Sequence, residues 1–133
     1  MNRNSKGFTL IELVTVIAIL GVLAAMTVPK FFSLQVKAIV ETENQIIGVI
    51  RAGLETYGAN QIVFAGTKIY PITNTSTVLT DILNPVPGKW TYTPGDPTGV
   101  ITDDSRSDST VTWDYKRPAA ATYTIDNRTA AEK

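Results

Sequence analysis

Residues 8–28, which read FTLIELVTVIAILGVLAAMTV, decide how this chain is organised. Glu12 is the single charged residue among these 21. A helix of this length spans about 31 Å at 1.5 Å per residue, and the hydrocarbon core of a membrane is about 30 Å thick. We therefore expect residues 8–28 to form a membrane-spanning helix.

Glu12 lies at the fifth position of this stretch, where a carboxylate is costly. An acidic side chain at the centre of a membrane helix raises the insertion free energy by about 2.5–3.5 kcal/mol, and by less near an interface. A plain anchor would explain the length and the flanking charges but not Glu12. A signal peptide would be cut after the apolar stretch, where Ala24-Ala25-Met26 offers a poor site. Glu12 is therefore expected to have a partner.

The junction Lys6-Gly7-Phe8-Thr9-Leu10-Ile11-Glu12 resembles the type IV pilin and pseudopilin family. The resemblance implies that residues 1–7 are a leader peptide, which a prepilin peptidase removes by cleaving between Gly7 and Phe8, and that Phe8 is then N-methylated. It also implies that Glu12 pairs with the free amine of Phe8 in a neighbouring subunit, with Thr9 near the same amine. Beyond the junction, Val28-Pro29-Lys30-Phe31 and Leu34-Gln35 look most like pilins of the mannose-sensitive haemagglutinin type.

The same resemblance implies a location and a set of partners. The subunit is stored in the inner membrane, interacts with an assembly platform there, and polymerises with copies of itself into a helical filament. Arg3 and Lys6 keep the amino terminus in the cytoplasm under the positive-inside rule, so the head faces the periplasm. Lys30 and Lys37 place positive charge at the other end of the span as well, so charge alone does not decide the orientation. The position of the leader at the start of the chain decides it. After assembly the chain belongs to an extracellular pilus, with a role such as cell adhesion, or to a periplasmic pseudopilus.

Helical periodicity continues beyond the apolar stretch. Pro29 lacks a backbone donor and predicts a kink, but an amphipathic pattern resumes at once and ends at Gly58. We predict one long helix over residues 8–58, divided into a transmembrane and assembly half (8–28) and an amphipathic half (29–58). The apolar stripe of the second half contains Phe32, Val36, Ile39, Ile46, Ile50, Leu54 and Tyr57, with Glu43 on the same face. The resemblance implies local melting between Gly21 and Pro29 in the assembled fibre.

Residues 59–133 are predicted to form a globular β head. Alternation of large and polar residues predicts three antiparallel strands, at 89–93, 110–115 and 121–126. Residues 77–83 are predicted to form a short helix capped by Ser76, and 129–133 a frayed tail. A long helix packed on a small antiparallel sheet is an α+β fold, and it is also the type IV pilin fold.

Candidate ligand sites are few. An acidic loop contains Asp103, Asp104 and Asp108, and it could bind calcium. The resemblance to the major pseudopilins of type II secretion, which carry a calcium site in this loop, implies the same. However, Arg106 lies among the three carboxylates, so a solvated turn is the favoured interpretation. We therefore predict no metal and no cofactor. The chain has no cysteine and no histidine, and it has no phosphate-binding or nucleophile motif, so no catalytic site is predicted.

Charge and composition narrow the function classes. Lys+Arg and Asp+Glu both number 12, so no nucleic-acid partner is expected. The absence of cysteine departs from the many pilins that close a carboxyl-terminal loop with a disulfide. The leading hypothesis is a structural subunit of a type IV pilus-like filament. The alternatives are a type II secretion pseudopilin and a single-pass membrane-anchored periplasmic binding module.

Overall fold

The structure of the protein is a computed structural model that describes residues 7–132. Most of the predicted leader, residues 1–6, therefore lies outside the described residues. The chain forms two compact units, which divide between Thr42 and Glu43. A long helix, a short helix and five strands follow one another along the chain.

Helix α1 is Leu10–Ala65, with 56 residues. It is continuous through Gly21 and Pro29, so the proline is accommodated without an end to the helix. Every residue from 7 to 38 is exposed. The first buried residue is Glu43, and Ile47, Ile50, Leu54 and Gly58 follow it on the same face. These positions are separated by three or four residues, which is the spacing of one helix face.

The predicted end of the helix at Gly58 is wrong by seven residues. Gly58 is buried inside α1, where a Cβ atom would lie 3.1 Å from Lys68 Cε and from Tyr70 Cε1. Glycine at this position therefore allows Lys68 and Tyr70 to pack closely against the helix, and it does not mark the helix end. The helix ends before Gly66, whose φ of 73° is the left-handed conformation that glycine adopts readily, and Gly66 N donates to Ile62 O at 3.0 Å.

The short helix α2 is Val78–Ile82. Val78 and Leu79 are buried in the core of the second unit. The residue that precedes the helix is Thr77, not Ser76 as predicted, and its hydroxyl donates to Asp81 Oδ2 at 2.9 Å.

A five-stranded antiparallel sheet completes the second unit. Its strands are β1 Trp90–Thr93, β2 Thr98–Asp103, β3 Ser109–Ala119, β4 Thr122–Ile125 and β5 Thr129–Glu132. The order is β1-β2-β3-β4, and β5 also pairs with β3. Residues alternate between buried and half-buried along β2 and most of β3, as expected for a sheet with one face on a core. The structure thus has a long amino-terminal helix followed by an antiparallel sheet, which confirms the α+β class and is consistent with the type IV pilin fold.

Two strands were missed by the sequence analysis. β2 was missed because two of its inward positions are Gly99 and Asp103, which weaken the apolar alternation. A Cβ atom on Gly99 would overlap the Tyr92 hydroxyl, so glycine is needed at this position to leave room for the Tyr92 side chain. The predicted frayed tail is also wrong, because Thr129–Glu132 pairs with Ser109–Thr112 of β3. The residues of β5 are threonine, alanine and glutamate, which give no apolar alternation, and the strand is formed by backbone pairing with β3.

Among the side chains that the structure describes, eleven buried apolar ones form the core of the second unit. Trp90 and Trp113 stack with their ring centroids 5.0 Å apart, and Tyr115 donates to Pro71 O at 2.8 Å from a fully buried position. The complete set is Ile47, Ile50, Leu54, Tyr70, Val78, Leu79, Trp90, Ile101, Val111, Trp113 and Tyr115.

Candidate functional site

The predicted processing junction lies directly before α1. Gly7 and Phe8 are exposed, and Phe8 is 89% accessible. A Cβ atom on Gly7 would meet no atom of the described residues within 4 Å. The fold of the described residues therefore does not require glycine at position 7.

Thr9 and Glu12 form a capping box at the start of α1. The amide and the hydroxyl of Thr9 each donate to Glu12 Oε2 at 2.8 Å, and the Glu12 amide donates to Thr9 Oγ1 at 3.3 Å. These bonds satisfy backbone donors that an α-helix otherwise leaves free in its first turn. The negative charge also lies in the first turn, where the helix dipole stabilises it.

Thr9 and Glu12 were both predicted to act in assembly, but the hydrogen bonds between them were not predicted. The signal was present, because Thr9-Leu10-Ile11-Glu12 has the T-x-x-E spacing of a capping box directly before an apolar run. Glu12 therefore has a partner within its own chain. Both bonds to the carboxylate end on Oε2, so the cap uses one of its two oxygens.

The rest of the apolar stretch offers an uninterrupted apolar surface. Its threonine hydroxyls bond to the helix itself: Thr15 donates to Ile11 O at 2.7 Å, and Thr27 donates to Leu23 O at 3.1 Å. By length and composition α1 can cross a membrane. Hydroxyls paired in this way fit an environment without water.

An apolar depression of about 450 Å³ lies on the exposed surface of α1 beside Pro29. It is an open surface rather than an enclosed cavity. Its lining residues are Thr27, Val28, Lys30, Phe31, Phe32 and Leu34. Phe31 and Phe32 are 69% and 62% exposed, so the apolar surface continues beyond the predicted boundary at Val28.

The acidic loop is satisfied by the protein's own donors. Asp103 is buried at the end of β2 and accepts from the Ser105 amide at 2.9 Å. Asp104 accepts from the Thr110 hydroxyl at 3.1 Å, and Asp108 pairs with Arg106. No group of three side chains suited to a metal occurs among residues 7–130, whose side chains the structure describes, so the calcium alternative gains no support from this loop.

Comparison with known proteins finds similarity that begins in the amino-terminal part of the chain. The prokaryotic N-terminal methylation motif matches residues 2–28. The chain is 38% identical over 66 residues to the type II secretion system core protein G of Pseudomonas aeruginosa. It is 49% identical over 37 residues to the type IV major pilin protein PilA of Myxococcus xanthus, and 39% identical over 56 residues to the type IV major fimbrial protein FimA of Dichelobacter nodosus.

These alignments cover part of each protein. They span 50%, 28% and 42% of this chain, and 46%, 17% and 36% of the respective relatives. No solved structure matches the chain. The motif and the homology support the type IV pilin and pseudopilin family, which confirms the resemblance predicted from the junction, and they support a pilin-like subunit.

Proposed function

We propose that this chain is a structural subunit of a type IV pilus-like filament. The observation that carries the proposal is the methylation motif at residues 2–28, because it coincides with a helix that is exposed on all sides as far as residue 38. Such a surface needs lipid before assembly and needs neighbouring helices afterwards. A filament built from copies of this helix supplies both environments in turn.

Processing is the first step of the proposed pathway. A prepilin peptidase cleaves between Gly7 and Phe8, and Phe8 is then N-methylated. The exposed junction supports this step, since a peptidase needs access to the bond that it cleaves. The resulting chain begins with an amine one residue before Thr9.

Pairing between Glu12 and the amine of Phe8 in a neighbouring subunit is the second step. The Thr9 cap ends on Oε2, so the amine can approach Oε1 without breaking the cap. When two opposite charges leave water together, the attraction between them offsets part of the free-energy cost of desolvating each one. The carboxylate would then be satisfied from both sides, by its own chain and by the neighbour.

The proposed cellular setting follows from the apolar stretch. Before assembly the chain is a single-pass inner-membrane protein with its head in the periplasm, where it interacts with an assembly platform. Local melting between Gly21 and Pro29 belongs to the assembled fibre. A Cβ atom on Gly21 would meet no described atom within 4 Å, so packing in the single chain does not select this glycine.

A second candidate function is a pseudopilin of a type II secretion system. The alignment with a type II secretion core protein favours it, since it extends over 66 residues and half of this chain. Both candidates use the same helix and the same processing. They differ in the fibre that the subunit enters.

Intact-mass measurement of the protein purified from sheared fibres and membranes tests the proposal. We expect the mass to fall by residues 1–7 and to rise by one methyl group. Gly7→Val should retain the leader and give no fibres, with Gly48→Val as a control at another exposed glycine of the described chain. Residues 1–7 still attached in fibres would refute the processing step.

Deletion of the gene separates the two candidates. Loss of surface fibres, seen by negative-stain microscopy, supports a pilus. Loss of protein secretion with surface fibres retained supports a pseudopilus. If neither changes and the mature chain keeps its leader, a membrane-anchored binding module is favoured instead.

A further inference from the structure

Glu43 is a buried carboxylate that contacts two arginines from distant parts of the chain. Its side chain is 2% exposed. Arg128 Nε donates to Glu43 Oε2 at 2.6 Å, and Arg106 Nη1 lies 3.6 Å from Glu43 Oε1. Arg106 belongs to the β2–β3 turn and Arg128 to the segment between β4 and β5. One helix residue thus contacts both segments.

The register of the sheet explains how Arg128 reaches Glu43. Asp126 N donates to Asp114 O, and Thr129 is paired with Thr112. Between these two points β3 contributes one residue, Trp113, whereas the opposite strand contributes two, Asn127 and Arg128. β4 and β5 therefore lie along the same edge of β3, and the segment between them contains a single extra residue. A β-bulge of this kind redirects a side chain, and here it turns Arg128 toward the core face.

Beyond the bulge, few side-chain contacts attach β5 to the rest of the second unit. Thr129 and Ala130 are exposed, so this part of the strand buries little apolar surface. Its described attachments are backbone pairing with β3, a hydrogen bond of 3.5 Å from the Thr112 hydroxyl to Thr129 O, and the Arg128–Glu43 ion pair. At the start of the segment, the carboxylate of Asp126 also pairs with Lys116. By contrast, β1, β2 and β3 carry the stacked tryptophans and five of the eleven buried core side chains.

We propose that Glu43 is the anchor of a strap formed by residues 126–132, and that the bulge exists to present Arg128 to this anchor. Loss of the carboxylate releases the strap and the 104–108 turn while the β1–β3 sheet stays folded. The reason is that moving a partly buried guanidinium into water lowers the free energy once its acceptor is lost, and the strap has few apolar contacts to oppose this movement. The inference concerns residues 43–132 and is independent of filament assembly.

Hydrogen exchange measured by mass spectrometry on the full chain in detergent tests the proposal. In Glu43→Gln we expect exchange in residues 126–132 and 104–108 to rise by about tenfold or more, because a charge-assisted hydrogen bond is lost. Exchange in β1 and β2 should change by less than about twofold. Glu41→Gln is the matched control, since Glu41 is an exposed residue of the same helix, and it should leave every segment unchanged.

The two arginines make the test more specific. Arg128→Gln should open the strap alone, and Arg106→Gln should open the 104–108 turn alone. These variants also keep the proposal testable if Glu43→Gln does not fold. An unchanged strap in both Glu43→Gln and Arg128→Gln would overturn the proposal. A uniform rise across the whole sheet would also overturn it, because it would mean that Glu43 supports the entire fold rather than the strap.

Discussion

The amide and the hydroxyl of Thr9 converge on the same oxygen of Glu12, each at 2.8 Å. The one acidic residue of the apolar stretch is thereby tied to the first turn of its own helix. This gives Glu12 a role in every single chain, as part of a helix cap, before any neighbour is present. The proposed pairing with a neighbour's amine is an additional role, and the two roles can be separated by substitution.

Thr9→Ala should weaken the helix start while leaving the charge in place. Removing a capping hydroxyl costs about 0.5–2 kcal/mol of helix stability. We expect faster amide exchange at residues 10–13 for the full chain in detergent, and fibre yield that stays well above that of Glu12→Ala. Thr15→Ala is the control, because its hydroxyl bonds to Ile11 O within the helix and caps nothing. Equal exchange in the two variants would show that the Thr9 cap does not form.

Two glycines of α1 should respond to alanine in opposite directions. A Cβ atom on Gly53 would lie 2.8 Å from Ile82 O, so Gly53→Ala forces α2 to shift and should destabilise by about 1–3 kcal/mol. A Cβ atom on Gly48 would meet no described atom within 4 Å, so Gly48→Ala should stabilise by about 0.5–1 kcal/mol through helix propensity. Urea unfolding followed by the fluorescence of the buried tryptophans measures both. Equal effects would contradict the close approach of α2.

Soluble fragments should behave differently according to where they begin. A fragment of residues 29–133 keeps Phe31, Phe32, Leu34 and Val36, all exposed in the structure, whereas a fragment of residues 39–133 lacks them. We therefore expect the shorter fragment to be a folded monomer and the longer one to self-associate. Sedimentation and circular dichroism measure this. An unfolded shorter fragment would contradict the division of the chain near Thr42.

Tyr115 should make the second unit sensitive to alkali. Burial raises the pKa of its hydroxyl above the ordinary value of about 10, and burial also raises the pKa of Tyr92 to about 12. The stabilising effect is complete below pH 10, and it is lost as pH rises from about 10 through the folded-state pKa values. Tyr115→Phe should flatten this alkaline loss. At pH 7 it should destabilise by about 1–3 kcal/mol, because Pro71 O loses its buried donor. Unfolding free energies at pH 7–11 test both statements, and an unchanged alkaline slope would contradict them.

The sequence predicted the elements that have strong periodicity or a specific motif. The long helix and its apolar first half follow from a sustained pattern, and the family resemblance follows from a junction that lies within the matched motif at residues 2–28. The roles of Gly7, Phe8 and Glu12 stay predictions. The helix end was missed because Gly58 serves a tertiary contact with Tyr70, which local sequence does not report. β2 and β5 were missed because Gly99, Asp103 and Thr129 carry no apolar signal. Glu43 was placed on the correct face, but its arginine partners are 63 and 85 residues away along the chain.

Sheared-fibre yield measured beside the membrane pool, for the wild type, Glu12→Gln and Glu12→Ala, tests the central claim most directly. If Glu12 neutralises the Phe8 amine of a neighbouring subunit, removing the carboxylate leaves that amine buried without a partner, a loss of about 3–5 kcal/mol. We predict almost no fibres from Glu12→Ala, an intermediate yield from Glu12→Gln, and a membrane pool that is unchanged or larger, because the span loses its only charge. Wild-type fibre yield from Glu12→Ala with an equal membrane pool would contradict the claim and leave Glu12 with its capping role alone.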